Sequence, residues 1–173
     1  MPDFDFRLTA VAQPLDSGVY LAEALFFPEV ALIGRRLGVL HEALQANARI
    51  LTESLPPEDL FRRHAAGAPE TAEVTLDLPP PPRSVAWRRP VSLTFPVVRW
   101  AHGSAAHVAY VPALGIVVLA ESADDLNTLL PEHIHAALLR MRAGSLGSLV
   151  WLQRCRKLRL HEMTFSAHVL TPR

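Results

Sequence analysis

Apolar residues recur at helical spacing in two parts of the chain. In the first half these positions are Leu37, Leu40, Leu44, Ala48 and Leu51. In the second half they are Leu126, Leu129, Leu130, Ile134, Ala137, Leu138 and Met141. Steps of three and four residues place side chains on one face of an α-helix. The pattern therefore predicts two amphipathic helices, each with its apolar face against a core.

The second helix has a clear start and one difficult position. Ser122 is a good N-cap residue, and Asp125 stands three residues later as its capping-box partner. Pro131 falls inside the apolar stripe, where a proline removes a backbone hydrogen bond at a cost of about 3 kcal/mol. The helix is therefore expected either to kink at Pro131 or to restart with this proline in its first turn.

Three short apolar stretches precede each helix, and they follow the same order when Pro28 is aligned with Pro112. A glycine, Gly18 or Gly103, stands in the turn after the first stretch. In the first half the stretches cover 6–13, 19–27 and 31–34. In the second half they cover 91–100, 106–111 and 116–120. These stretches are typical of β-strands, so the chain is expected to contain two copies of one unit.

Each half then ends with a short helix and one more strand. Pro57 opens the first short helix, and the strand after it covers 72–78; the second half repeats them at 146–155 and 157–170. The predicted fold class is α+β, with two repeated β-β-β-α-α-β units, mostly antiparallel sheets and helices packed on one face. The strand at 157–170 is expected to offer an edge to a partner or to a second copy.

Four consecutive prolines, residues 79–82, interrupt the chain near its midpoint. Prolines have no N–H donor and favour an extended backbone, so this stretch predicts a stiff spacer. We therefore expect a first domain at 1–78, a linker at 79–86 and a second domain at 87–173.

The charges are divided unevenly about this proline run, although the whole chain has 17 basic and 17 acidic residues. Residues 1–82 hold 12 acids and 6 arginines, a net charge of −6. Residues 83–173 hold 5 acids and 11 basic residues, a net charge of +6, and six of the eight histidines. This division fits a polyanionic partner, two halves that face each other, or drift in composition.

Composition excludes several classes of protein. Half of the residues are hydrophobic, which is not typical of a disordered chain. Uncharged stretches such as 108–120 are shorter than the roughly 20 residues of a membrane span. The N-terminal sequence lacks the apolar region of a secretory signal. Cys155 is the only cysteine, which leaves no intramolecular disulfide and no cysteine-based zinc site. We expect a cytoplasmic protein without a membrane segment.

Candidate catalytic and metal-binding residues follow no known pattern. His133 and His135 are two apart on a helix, so their side chains point roughly 200° apart and cannot chelate one ion together. Ribonuclease-H-type chemistry needs several acids around two metal ions, and the stretch 91–100 contains none. Asp124 and Asp125 stand in the first turn of a helix, where they favour its dipole. We expect no catalytic, metal-binding or cofactor-binding residues.

Tryptophan and arginine stand together in two places after the proline run. The residues are Trp87, Arg88 and Arg89, followed by Arg99 and Trp100. Both residue types are enriched at protein-interaction hot spots, and both stack on single-stranded bases. These five residues are the predicted partner-binding site. The alternatives are a nucleic-acid contact and a tryptophan that closes the edge of the core beside arginines that reach water.

The segment HVAYVPALGIVVLAESADDLNTLL resembles the core of a HicB-type antitoxin domain. The matching residues are Ala109, Pro112, Leu114 and Gly115 in the strand and turn, and Ser122, Asp124 and Asp125 at the helix start. One residue of the family's pattern is missing beside Gly115. In the first half Pro28 precedes LHEAL (40–44) at the family's spacing, but the glycine after the proline is absent.

The resemblance implies tandem domains with a partial ribonuclease-H-like fold that has lost its catalytic acids. It also implies a non-catalytic protein-interaction module, an antitoxin-like or adaptor component of a bacterial system. Its partner would be a toxin-like protein or a larger enzyme component, and an edge strand would allow a homodimer. The DNA-binding motif that usually accompanies such domains has no counterpart here. Two alternatives stay open: a nucleic-acid-binding regulator that uses the basic second half, and an enzyme with a site between the halves.

Overall fold

The computed structural model describes residues 3–15, 18–64, 68–79, 89–104, 106–140 and 158–168. The first half holds β1 (Asp3–Pro14), β2 (Tyr20–Ala24), β3 (Phe27–Gly34), α1 (Leu37–Ser54), α2 (Pro57–His64) and β4 (Glu70–Leu78). The second half holds β5 (Val91–His102), β6 (Ala106–Val111), β7 (Ile116–Ala120), α3 (Ala123–Arg140) and β8 (Arg159–His168). The described strands form two antiparallel four-stranded sheets, so the α+β fold class is confirmed.

The first sheet has the strand order β3-β2-β1-β8. β1 pairs with β2 on one side, where Ala10 lies opposite Ala24. On its other side β1 pairs with β8 over ten residues, from the Asp3–His168 pair to the Ala12–Arg159 pair. The last described strand of the chain therefore completes the sheet that the first strand begins.

The second sheet has the order β4-β5-β6-β7, which is the same arrangement. β5 takes the central place that β1 has in the first sheet, and β4 pairs with it from Glu70–Arg99 to Leu78–Val91. Contacts accordingly group β1, β2, β3, α1, α2 and β8 in one compact unit, and β4 to β7 with α3 in the other. Each unit thus receives its fourth strand from the other half of the sequence.

This exchange differs from the predicted boundaries at 1–78 and 87–173. Those boundaries assign β4 to the first domain and β8 to the second, because each follows its own half in sequence. In the structure each of these strands pairs with the opening strand of the other half. The order of three strands, a long helix and a last strand is present in both halves, but the last strand of each half belongs to the other unit.

The exchange also changes the balance of charge between the units. The segments of the first unit, 1–67 and 158–173, contain 10 acids and 8 arginines, a net charge of −2. The segment of the second unit, 68–157, contains 7 acids and 9 basic residues, a net charge of +2. β4 contributes three acids to the otherwise basic unit. The division into −6 and +6 therefore belongs to the linear sequence rather than to the folded units.

The core of the first unit lies between α1 and one face of its sheet. The buried residues of β1 in this core are Phe6, Leu8, Ala10 and Ala12. Alternate residues of a strand point to the same face, so β1 turns its small and apolar side chains to the helix. Leu44 and Ala48 of α1 are fully buried against them, as the apolar stripe predicts. Met163 of β8 packs in the same core.

The second unit repeats this packing. The buried residues of α3 are Leu126, Leu130, Ile134 and Leu138. They pack on Leu93, Phe95 and Val97 of β5, which alternate along the strand. Burial of such side chains stabilises a fold by about 25 cal/mol for each Å² of apolar surface removed from water. The stripe that predicts α3 is thus the side of the helix that faces the sheet, while Met141 lies outside the described residues.

The start of α3 has the predicted cap. The backbone N–H of Asp125 donates to Oγ of Ser122 at 3.1 Å, and that hydroxyl donates to Oδ2 of Asp125 at 2.6 Å. The helix then continues through Pro131 to Arg140. The alternative in which α3 restarts at Pro131 is therefore wrong, and the proline is an interior residue that leaves one helical hydrogen bond unmade.

The first half differs from the prediction near Pro28. β2 ends at Ala24 and β3 begins at Phe27, because these two residues already pair across the turn, so Pro28 lies inside β3 rather than between strands.

The bounds of the other elements are close to those predicted. The stretches 106–111 and 116–120 match β6 and β7, and Pro57 opens α2. The opening strands are longer than expected because β1 already pairs with β8 at Asp3, and β5 still pairs with β6 at His102. The predicted helix at 146–155 lies outside the described residues. None of the helices in the described ranges is both long and apolar enough to cross a membrane.

Candidate interaction surfaces

The five predicted partner-binding residues do not lie on one face of the second sheet. Trp87 and Arg88 fall outside the described residues, and Arg89 is exposed just before β5. Arg99 and Trp100 are neighbours on β5, so their side chains point to opposite faces of the sheet. Arg99 and Trp100 are adjacent in the sequence, but their side chains lie on different surfaces of the sheet. The partner-binding role of the five residues stays a prediction.

Arg99 has a structural contact of its own. Its Nη1 donates to Oδ1 of Asn127 on α3 at 2.8 Å, which ties the central strand to the helix. Glu70 of β4 lies opposite Arg99 in the strand register. The guanidinium of Arg99, which was predicted to bind a partner, therefore makes a contact inside the second unit.

The residues considered for catalysis or metal binding, Asp124, Asp125, His133 and His135, all lie on α3. Within the described ranges, no group of three or more His, Cys, Asp or Glu side chains could hold a metal ion. Nδ1 of His133 contacts the carbonyl oxygen of Leu129 at 2.9 Å. Asp125 takes part in the cap of α3, and Asp124 lies beside it in the first turn. We derive no reaction from these residues.

Two histidines that the sequence patterns do not single out form a stack in the first unit. The ring centroids of His41 on α1 and His161 on β8 are 4.1 Å apart, and the rings are nearly parallel at 4°. Gln45, one turn further along α1, donates from Nε2 to the carbonyl oxygen of Thr164 at 2.8 Å. These two contacts fasten α1 to the strand that completes the sheet. The histidines are 120 positions apart, so no local spacing could have revealed them.

The surroundings of His41 favour its neutral form. Burial lowers the pKa of His41 below its ordinary value of 6.5, and the charge of His161 lowers the pKa further. Within the described structure, Nε2 of His41 is buried and has no hydrogen-bond partner. A proton on His41 would be poorly solvated and would be repelled by positive charge on His161.

A groove in the first unit lies between the edge strand β3 and α1, and we name it the β3–α1 groove. Its volume is about 320 Å³. The lining residues are Glu29, Val30, Ala31, Asn47, Ile50, Leu51 and Ser54. Ile50 is 66% exposed, although it belongs to a helix whose apolar stripe is buried. The groove is therefore lined by apolar side chains, one of them largely exposed, together with the polar side chains of Glu29, Asn47 and Ser54.

The corresponding edge of the second unit is also apolar. Val117 and Leu119 of β7 are 54% and 64% exposed, on the sheet face that α3 does not cover. Beside them, between β7 and α3, lies a groove of about 430 Å³ that we name the β7–α3 groove. The lining residues are Leu119, Ala120, Glu121, Asp125, Thr128 and Leu129. Both units thus leave apolar surface at the same edge of the sheet.

The apolar edges were not predicted as sites, although one signal for them is present in the sequence. The prediction placed the edge for β-addition at 157–170, and β8 does lie at a sheet edge. However, β8 carries exposed charged residues, and Gln45 already occupies one of its carbonyl groups. The segment Ile116–Ala120 has no charged residue at all, and this absence is visible in the sequence.

The chain was compared with protein families, curated proteins and solved structures. No family model, curated protein or solved structure matches the chain.

Proposed function

We propose that this chain is a non-catalytic, cytoplasmic protein-interaction module, an antitoxin-like or adaptor component, that binds its partner in the β3–α1 groove. The observation that carries the proposal is the exposure of Ile50, an apolar residue that lines this groove. Exposed apolar side chains beside polar ones are common where a protein surface binds another protein. A few residues that become buried at an interface supply most of the binding energy.

The lining residues indicate what kind of segment would fit. Val30 and Leu51 offer apolar contact to one inserted side chain, and Ile50 packs beside it. Glu29 is exposed in the lining, where it would attract a basic residue of the partner. We therefore expect a partner segment with a large apolar side chain next to a lysine or arginine.

The HicB resemblance supports the same class of function. It implies a domain that covers a surface of a toxin-like protein or of a larger enzyme component. A small nucleic-acid-processing protein is commonly basic, which fits a groove lined in part by Glu29 and a first unit of net charge −2. The alternative of a nucleic-acid-binding regulator loses support, because the second unit has a net charge of only +2.

The test uses two glutamate substitutions on one helix. Ile50→Glu places a charge in the lining of the groove, and Ala46→Glu places the same charge at an exposed position that does not line it. Partners recovered from the native host by affinity capture would be purified, and their Kd for the full chain would be measured by calorimetry. We expect Ile50→Glu to weaken binding by about 30-fold or more, the loss of one hot-spot residue, and Ala46→Glu to leave Kd within about threefold.

Two results would contradict the proposal. If affinity capture recovers only the chain itself, and no other protein binds the purified chain, the proposed binding to a different protein is contradicted. A partner that binds both variants as tightly as the unmodified chain would remove the groove as the binding site. Circular dichroism of the two variants checks that each retains the fold.

A further inference from the structure

The two sheets have four edge strands in the described structure, and three of them carry protection against pairing. Edge strands are commonly protected by charges, prolines or bulges, because their free N–H and C=O groups accept another strand. The protective residues are Pro28 and Glu29 on β3, Glu70, Glu73 and Asp77 on β4, and Arg159, His161 and Glu162 on β8. β7 has the sequence IVVLA, with neither charge nor proline.

We infer that β7 pairs with β7 of a second copy of this chain, antiparallel and centred on Val118, to form a homodimer. This inference concerns the second unit and goes beyond the partner proposed for the β3–α1 groove. A two-fold axis makes the two paired strands antiparallel, and both partners then use the same surface. The pair would join the two copies of the second sheet into one sheet of eight strands.

The register around Val118 matches apolar side chains on both faces of the sheet. On the face away from α3, Val117 lies opposite Leu119 of the other copy, and the pair occurs twice. These are the residues that the single chain leaves 54% and 64% exposed. On the α3 face, Ile116 lies opposite Ala120 of the other copy, also twice. Cross-strand apolar pairs of this kind are the units that stabilise antiparallel sheets.

The β7–α3 groove accepts the side chain that this register brings to it. Ala120 lines the groove, and Leu129 of α3 forms part of its wall. Residues directly opposite in a sheet project from the same face, so Ile116 of the second copy would project beside Ala120. A groove of about 430 Å³ has room for an isoleucine side chain. The pairing therefore fills the cavity of each copy with a residue of the other.

The charges near β7 do not oppose this pairing. Glu121, which follows the strand, lies at each outer end of the paired segment. At about 3.4 Å per residue, the two copies of Glu121 would be about 20 Å apart, roughly two Debye lengths at physiological salt. A five-residue strand pair is small, so we expect a dimer at the weak end of the range for specific interfaces, with a micromolar Kd.

Sedimentation velocity of the full chain tests the homodimer with a matched pair of variants. Leu119→Lys puts a charge into both cross-strand pairs, whereas Leu139→Lys makes the same change at a 74% exposed position on α3. Between about 1 and 100 µM chain, we expect the unmodified protein and Leu139→Lys to approach twice the monomer mass. Leu119→Lys should weaken the dimer at least tenfold. A monomer throughout this range, or a dimer equally tight in Leu119→Lys, would overturn the inference.

Cysteine cross-linking tests the register without a disruptive charge. Val117→Cys and Leu119→Cys would be made separately in a Cys155→Ser background. The proposed register brings positions 117 and 119 of different copies within disulfide range, whereas like positions are diagonal. We expect rapid disulfide-linked dimer only when the two variants are mixed. Equal cross-linking in the mixture and in either variant alone would contradict the register.

The variant Ile50→Glu, in the first unit, distinguishes the homodimer from the proposed function. Ile50→Glu lies in the other unit and should leave the sedimentation profile unchanged. A monomeric chain whose partner is lost in Ile50→Glu would overturn the homodimer and support the proposed function. A chain that forms the dimer but binds no partner would support the homodimer and contradict the proposed function.

Discussion

Ser122 fixes where α3 begins. Its hydroxyl oxygen accepts the N–H of Asp125, one of the N-terminal donors that have no partner inside the helix. The same hydroxyl donates to the carboxylate of Asp125, so both groups are held by one reciprocal contact. The first turn is therefore set by one side chain that the sequence identifies correctly.

Removal of this hydroxyl should lower stability. We expect Ser122→Ala to reduce the free energy of unfolding by about 1 kcal/mol, the usual cost of a lost N-cap. Ser122→Thr keeps the oxygen and should lose less than half as much. Urea denaturation followed by circular dichroism measures both, and equal losses in the two variants would show that the hydroxyl is not the cause.

The histidine stack makes the first unit sensitive to acid. The pKa of His41 is lower in the folded chain than its ordinary value of 6.5. The unfolded chain therefore binds more protons around this pH, and stability decreases as the pH falls through 6.5. The stability that neutral His41 contributes is fully present above this value.

A substitution that cannot titrate should remove this dependence. We expect His41→Phe, which keeps an aromatic ring against His161, to flatten the fall of Tm between about pH 7.5 and 5.5. His135→Phe, at an exposed position on α3, should keep the slope of the unmodified chain. Thermal melts at intervals of pH measure the slopes, and a slope that His41→Phe leaves intact would exclude the stack as its origin.

Among the elements, the turn between β6 and β7 depends on one glycine. Gly115 has a φ of +63°, and its N–H donates to the carbonyl oxygen of Val111 at 3.0 Å. Residues with a Cβ pay about 1–2 kcal/mol for this left-handed conformation. The turn sets the register in which Val111 lies opposite Ile116, and so it also positions the edge that we propose pairs with a second copy.

Two glycine-to-alanine substitutions separate conformation from space. No atom lies within 4 Å of an added Cβ at Gly115 or at Gly38, which is helical and lies in the first turn of α1. We expect Gly115→Ala to lower the free energy of unfolding by about 1–2 kcal/mol, and Gly38→Ala to raise it by about 0.5 kcal/mol. Chemical denaturation distinguishes the two signs, and a loss in both variants would point to crowding instead.

For the whole molecule, the exchange of the two last strands is the main architectural feature. β8 enters the first unit through ten paired residues on β1 and through Met163 in the core. Ser166 adds a hydrogen bond from its Oγ to Oδ1 of Asp5 at 2.6 Å. The stability of the unit built around the first strand therefore depends on residues near position 163.

This dependence can be measured at one core position. Met163 is 7% exposed, and Met163→Ala should cost about 2–5 kcal/mol through lost contacts and a cavity. The neighbouring Thr164→Ala, at an exposed position, should change stability by no more than about 0.5 kcal/mol. Hydrogen exchange should show that Met163→Ala reduces protection in β1 and α1. Unchanged protection there would mean that β8 contributes little to the first unit.

Sequence reasoning succeeded where the signal is local and failed where two distant segments meet. The helical stripes, the Ser122 cap and the bounds of β6 and β7 follow from neighbouring residues, and the structure has them. Which opening strand β4 and β8 would join is not a local property, because both opening strands are apolar and of equal length. The stacking of His41 on His161 depends on the pairing of β8 with β1, so it could not be predicted from the sequence either.

At the candidate interaction surfaces, too, local properties could be predicted from the sequence and long-range ones could not. The period-two alternation of a strand could have shown that Arg99 and Trp100 point apart, and their adjacency in sequence hid it. The apolar character of 116–120 was readable, but its place at a sheet edge was not. Exposure of Ile50 could not be anticipated, because isoleucine on an amphipathic helix is more often buried.

The exchanged strands also set the order in which the chain can finish folding as it leaves the ribosome. Domains commonly fold during synthesis from the N-terminus onward. Here β1 emerges first, yet the strand that pairs with its outer side, β8, is translated more than 140 residues later. The unit formed by β4 to β7 and α3 has all of its described strands before β8 exists. The unit that contains β1 is therefore completed last, and until β8 is translated the edge of β1 that pairs with it is open to other strands.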